Sequence, residues 1–162
     1  MGVWGLGSAE SDHAQDALDQ MCIMMGLSLD DGLETVDPSV KAVAALKIKP
    51  DDVDESALPG VVMTLLMAGF KLTKAMLDEA AAVLETERDK LKDDPDNGGD
   101  WAKGLAKQRL HVNHAELNAI GKAANNDGVL PDGGEQAIEH LLHTITEALF
   151  EEVHGHAKAR LE

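Results

Sequence analysis

The sequence predicts an all-α fold, a single-domain bundle of five or six helices, and three observations carry that prediction. The apolar residues are chiefly Ala, Leu, Val and Met, with seven Met, side chains that lose little freedom on entering a helix. Aromatic residues are nearly absent, with only Trp4, Trp101, Phe70 and Phe150 and no Tyr, and no stretch alternates with the period of two that a half-buried strand needs. Apolar residues recur instead at three- and four-residue steps, the helical period. A chain of 162 residues suits one domain with a sizeable core, here 1–160; the final Leu161-Glu162 reads as a cloning remnant.

The first helix is expected over Asp12 to Met25, capped by Ser8 or Ser11. Its apolar face is Ala14, Ala17, Leu18, Met21, Cys22 and Met25, and Asp12, Asp16 and Asp19 share the opposite face. Gly26 is placed to stop it, and an acidic loop follows to Asp37. Pro38 suits a helix start, and Ser39 to Lys47 reads as a short helix. A second acidic loop, P-D-D-V-D-E-S-A-L-P-G, is punctuated by Pro50 and Pro59. Val61 to Phe70 is nearly all apolar and reads as a buried helix. Thr73 caps a longer helix to about Lys92, with Leu77, Ala80, Ala81, Leu84 and Leu91 inward. The stretch D-D-P-D-N-G-G-D from Asp93 is a loop. Trp101 to Ala124 reads as a helix with Ala106, Leu110, His114, Leu117, Ile120 and Ala124 on one face. A turn-rich loop from Asn125 leads to a last helix over Glu135 to Ala157, striped by Ile138, Leu141, Leu142, Ile145, Ala148, Leu149 and Val153.

Charge narrows the partners. The formal net charge is −16, which excludes bare nucleic-acid binding and anionic membrane surfaces. The longest apolar run, around Val61 to Ala68, is less than half a membrane span, and the opening has no basic n-region and no apolar h-region. The single Cys22 cannot form an internal disulfide and fits a reducing cytosol, so a cytoplasmic location is expected. The charge is also segregated. Residues 1–60 carry twelve acids against three Lys, net −9; residues 61–110 are near balance at −1; residues 111–162 stand at −6. The first forty residues hold eight acids and no Lys or Arg.

Enzyme chemistry finds little to use. G-x-S-x-G, the P-loop and G-x-G-x-x-G after a strand are all missing, no cofactor is implied, and Cys22 falls on an apolar helix face where thiols are usually inert. EF-hand registers fail: Gly128 at the sixth position puts Ala123 first and Gly134 twelfth, and Gly98 puts Pro95 third and Gly104 twelfth. His111 and His114, and again His140 and His143, sit three apart on helices, with Glu151 and His154 a further pair. That is the spacing by which bundles present metal ligands. However, His140, His143 and His154 lie on the polar face of the last helix, and only His114 sits on an apolar one, so these histidines are a runner-up metal site only.

The opening M-G-V-W-G-L-G-S-A-E-S-D-H-A-Q-D resembles a bacterial domain-of-unknown-function family that begins M-G-x-W-G-x-G. Met1, Gly2, Trp4, Gly5, Gly7, Asp12, Ala14 and Asp16 match, while Ser8 and Ala9 stand where that family usually carries an aromatic or bulky residue after the third Gly, and the likeness covers about the first 20 residues. It implies a small, soluble, mostly helical bacterial protein without an established activity; some such families sit beside toxin genes and are suspected antitoxins. Ala123 to Glu135, A-A-N-N-D-G-V-L-P-D-G-G-E, is similar to a turn in tellurite-resistance B-type helical domains, with one residue more before the Glu.

The expected function is a non-enzymatic, cytosolic binding protein with an acidic face for a basic protein partner, in the manner of an immunity protein or inhibitor of a nuclease or nucleic-acid-binding machine. The face comprises Asp12, Asp16, Asp19, Asp30, Asp31, Glu34, Asp37, Asp51 and Asp52. Trp4, on a glycine-rich lead, either plugs the bundle or anchors the partner. The alternatives are a metal-binding bundle using the histidine pairs, and a structural protein that oligomerises through Met- and Leu-rich faces.

Overall fold

The computed structural model describes residues 8, 12–27, 32–96, 104–131 and 139. These residues contain helices and turns and no strand, and the fold is all-α. The five α-helices are α1 (Asp12–Met24), α2 (Pro38–Lys41), α3 (Leu58–Met67), α4 (Lys74–Asp93) and α5 (Ala106–Ala124). Four 3₁₀ turns lie between α1 and α3: Leu33–Thr35, Ala44–Lys47, Pro50–Asp52 and Glu55–Ala57.

α3 is the central element. Eight of its ten residues, from Leu58 to Met63 and then Leu65 and Leu66, are buried, the composition of a helix with protein on every side. α1 packs on one side of it and α4 on another, and α5 packs on α4. Phe70, Met21, Ile48, Leu65 and Met76 are among the largest side chains fully removed from water, each worth about 2 kcal/mol of hydrophobic stabilisation.

α1 forms as its pattern predicts. Ala14, Leu18, Met21, Cys22 and Met25 are buried and Ala17 is partly so. Gly26, at φ +74°, ends the helix: its N–H donates to Ile23 O (3.0 Å) and that of Leu27 to Cys22 O (2.9 Å), the hydrogen-bond pair of a Schellman motif. The Thr73 cap on α4 also stands, its Oγ1 accepting from Met76 N at 3.2 Å. α4 and α5 form an antiparallel hairpin. Asn113 Nδ2 reaches Leu84 O at 2.8 Å in mid-helix, and Leu72 N donates to Gly128 O at 2.9 Å where α4 begins and α5 has ended.

Five features differ from the sequence expectation. α3 begins three residues earlier than Val61, because Pro59 serves as a first-turn helical residue and not as loop punctuation. It ends at Met67, where Gly69 N closes on Leu66 O and Phe70 N on Leu65 O. The helix expected over Ser39–Lys47 breaks into α2 and a 3₁₀ turn at Val43, whose backbone leaves the helical region. The acidic loop at 50–58 is two 3₁₀ turns, each led by a side-chain or proline device: Pro50 in one and the Asp54 carboxylate in the other. α5 starts at Ala106, not at Trp101, after Gly104 at φ +76°.

The buried face of α5 is also turned. Its inward residues are Val112, Asn113, Glu116, Ala119, Ile120 and Ala123. His114 and Ala124, assigned inward by pattern, are exposed, and Leu110 and Leu117 are only half-buried. The cause is that Asn113 and Glu116 have partners inside the protein, so two polar residues take the inward positions that apolarity alone would have given elsewhere.

Candidate functional site

The acidic residues singled out by sequence do not behave alike. On α1, Asp12, Asp16 and Asp19 are all exposed, and at 3.6 residues per turn they fall with Ile23 within about 60° of one another. Ile23 is 67% exposed, so the stripe runs from three carboxylates onto an open apolar side chain, with Met24 beside it at 50%. Asp12 is in the first turn, where the helix dipole favours a negative charge. Asp16 and Asp19 have no such support. Asp12 and Asp16, four apart, repel by about 0.2–0.5 kcal/mol.

Further along, Glu34, Asp37, Asp51 and Asp52 are exposed as well. Asp37 caps α2: its Oδ1 accepts from Ser39 N (2.9 Å) and Ser39 Oγ (2.8 Å). Those two donors hold its pKa below the ordinary 3.8. Asp52 Oδ2 accepts from Lys49 N at 2.9 Å, closing its 3₁₀ turn. Two of the nine acids therefore serve the local backbone. The side chains of Asp16, Asp19, Glu34 and Asp51 form no hydrogen bond or ion pair among the described residues. Asp30, Asp31 and Trp4 lie outside the described residues.

The same stretch carries the exposed apolar surface. Among the described residues the large hydrophobic side chains left open are Ile23, Met24, Val40, Val43 and Leu46. All five fall between positions 23 and 46. Val40, Val43 and Leu46 recur every three residues through α2 and its following 3₁₀ turn, whose period is three. Sequence patterning missed them because the expected single helix over 39–47 would have turned part of this set inward.

Two other clusters were not foreseen. His13 Nε2 lies 2.9 Å from Ser56 Oγ and 3.1 Å from Asp54 Oδ2, a Ser, His and Asp in contact. It is no catalytic relay, because one ring nitrogen faces both partners, whereas a triad needs the carboxylate on Nδ1 and the hydroxyl on Nε2. Asp54 Oδ1 also accepts from Ser56 N, so the group ties the first turn of α1 to the turn that leads into α3. The second cluster is buried. Glu116, 5% exposed, accepts from Ser8 N (3.2 Å) and Ser8 Oγ (2.7 Å). Ser8, expected as a cap for α1, instead gives its hydroxyl proton to α5. Its carbonyl oxygen sits where a Cβ on Gly60 would stand, so Ser8 is wedged between α3 and α5. Only the spacing of Ser8 before a helix was legible; a contact across 108 positions has no local signal.

Of the histidines singled out by spacing, only His111 and His114 are among the described residues. His111 and His114 are both exposed on α5, and among the described residues no three His, Cys, Asp or Glu side chains come together to hold an ion. His140, His143 and His154 lie outside the described residues. Cys22 is buried; burial first, and then the neighbouring Asp19 charge, push its thiol pKa up from the ordinary 9.0. A neutral, enclosed thiol is a poor nucleophile. No described helix is long and apolar enough to cross a membrane. Comparison with known protein families, with curated proteins and with solved structures returns no match for this chain.

Proposed function

We propose that this chain is a non-enzymatic, cytosolic binding protein that engages a basic protein through the acidic stripe of α1 and the turns that follow it. The observation that carries this reading is a coincidence along the chain: the unbonded carboxylates of Asp16, Asp19, Glu34 and Asp51 and all the open large apolar side chains of the described residues fall in one stretch, 16–51. An apolar centre with a charged rim is the composition of a protein interface. Solubility needs only net charge, and is better served without Ile23 and Val43 in water. Like charges gathered on one helix cost stability and raise the rate and selectivity of association with a cationic surface. An antagonist of a nuclease or of nucleic-acid-binding machinery has use for such a face.

The test is capture of a basic protein from a lysate of the source cell, followed by identification and titration. Retention should weaken as salt rises, since the Debye length falls to about 3 Å at 1 M. The reversal Asp12→Lys/Asp16→Lys/Asp19→Lys should abolish capture with a stability change within about 0.5 kcal/mol per site. Equal capture by the reversed variant sinks the proposal.

A further inference from the structure

Away from the acidic stripe, the start of α4 and the end of α5 enclose a hollow of about 230 Å³. Leu46, Leu72, Leu77 and Ala124 give it apolar walls, and Lys71 and Lys74 stand at its edge. Leu46 is 41% exposed, and it is the last of the three-residue series Val40, Val43, Leu46, so the open apolar surface leads into the hollow. Lys71 Nζ is 3.1 Å from Asp127 Oδ2, a carboxylate with 91% of its side chain in water. Lys74 is exposed and has no partner among the described residues. Lys47, next after Leu46, is exposed too. In a chain of net charge −16, this is an apolar recess whose edge sets two lysines, Lys71 and the open Lys74, against one carboxylate, Asp127.

The α1 stripe has the opposite construction. Asp16 and Asp19 precede Ile23 by two turns and one turn, about 10 Å and 6 Å along the axis, and Ile23 projects into water. We propose that the hollow receives the α1 stripe of a second copy of this chain, Ile23 entering between Leu46, Leu72 and Leu77 while Asp16 and Asp19 meet Lys71 and Lys74. The inference rests on the reading of α1 as an interaction face and names a partner for it. Knob and recess are different surfaces on one molecule, so the contact is heterologous. It leaves a free knob at one end and a free recess at the other, and copies add head to tail. The surface involved is small, which places the contact in the weak class. Overall repulsion between acidic copies is long-ranged and falls away beyond the ~8 Å Debye length at ~0.15 M salt, whereas charges in contact still attract.

Sedimentation of the full chain at about 0.15 M salt, from about 10 µM to about 1 mM, tests this. Average mass should climb with concentration beyond that of a dimer. The variant Ile23→Glu loses the knob, and Leu46→Glu/Lys74→Glu loses the recess; both positions are exposed, so each should fold, and each alone should stay monomeric. Mixed together, they should form a dimer and stop there, because only one intact knob and one intact recess remain to meet. A wild-type chain that stays monomeric overturns the proposal, as does a mixture that stays monomeric or an acidic foreign peptide that fills the hollow with no self-association. Capture of a basic protein should survive in Lys74→Glu, which reverses the open lysine of the hollow and leaves the exposed apolar series untouched. Loss of self-association with that capture intact removes only the head-to-tail contact, whereas capture by the α1-reversed variant removes the interaction-face reading itself.

Discussion

The stretch 12–54 and the hairpin 72–128 handle charge in opposite ways. In the first, Asp16, Asp19, Glu34 and Asp51 stand in water without a bonded partner, Asp37, Asp52 and Asp54 accept from backbone N–H groups two or three residues away, and Asp54 also meets His13. In the second, acids and bases interleave. Lys71 meets Asp127, Arg88 lies 3.6 Å from Asp89, and Glu87 and Arg109 face each other across α4 and α5. Burial raises the pKa of Glu87 and lowers that of Arg109, and in each case the other's charge opposes the shift. The hairpin also takes polar groups inside, with Asn113 on Leu84 O and Glu116 on Ser8. The difference teaches that charge in the hairpin is used for internal fit, while Asp16 and Asp19 on α1 bond nothing among the described residues.

That contrast predicts a ranking of substitutions. The largest stability loss should come at the open end of the hairpin, where α4 begins and α5 has ended. Gly128 has φ +86° and its Cα faces the Leu72 carbonyl oxygen so closely that a Cβ would overlap it. Gly128→Ala should cost about 3 kcal/mol from left-handed strain plus displacement of Leu72, a fall in Tm of about 10 °C by calorimetry. A fall of a degree or less would show that this end is soft and break the contrast.

Next is the buried carboxylate. Glu116→Ala leaves two donors of Ser8 without their acceptor and should cost about 2 kcal/mol. Ser8→Ala removes one of those donors and should cost less. In a double-mutant cycle the pair should couple by about 1 kcal/mol. Additive effects would mean that the wedge between α3 and α5 is held by packing on Gly60 and not by the hydrogen bonds.

The smallest loss belongs to the exposed stretch. Asp37→Ala removes the cap of a four-residue helix and should lower Tm slightly at neutral pH. The folded-state pKa of Asp37 lies below its unfolded value, so its contribution is complete above the ordinary 3.8 and disappears as pH falls through the folded value. Wild type and Asp37→Ala should therefore converge in acid. A gap that widens on acidification contradicts the cap. Thiol labelling sharpens the same comparison: Cys22 should react slowly in the native protein and at the ordinary rate once unfolded.

Much of the fold was legible, and for local reasons. α1 and α4 have unbroken apolar stripes, a stop glycine or a capping threonine, and no buried polar residue among their inward positions, so period and chemistry agree. α5 is where they part. Its inward Asn113 and Glu116 are admitted by partners 29 and 108 positions away, and reading apolarity alone placed His114 inside instead. The acidic stripe itself was visible as i, i+4 and i+7 spacing. The open Val40–Val43–Leu46 series was not, because it depends on where α2 breaks into a 3₁₀ turn.

By itself the sequence determined the all-α class, the segregation of charge and the course of the stripe on α1, since helical period and side-chain ionisation are properties of neighbours along the chain. Tertiary structure alone decided which polar residues are buried, which apolar ones are left in water, and that Lys71 and Lys74 come to the edge of a hollow between the start of α4 and the end of α5. Those outcomes turn on hydrogen-bond partners and walls supplied by distant segments, and a buried polar group is tolerated only where such a partner is already in place.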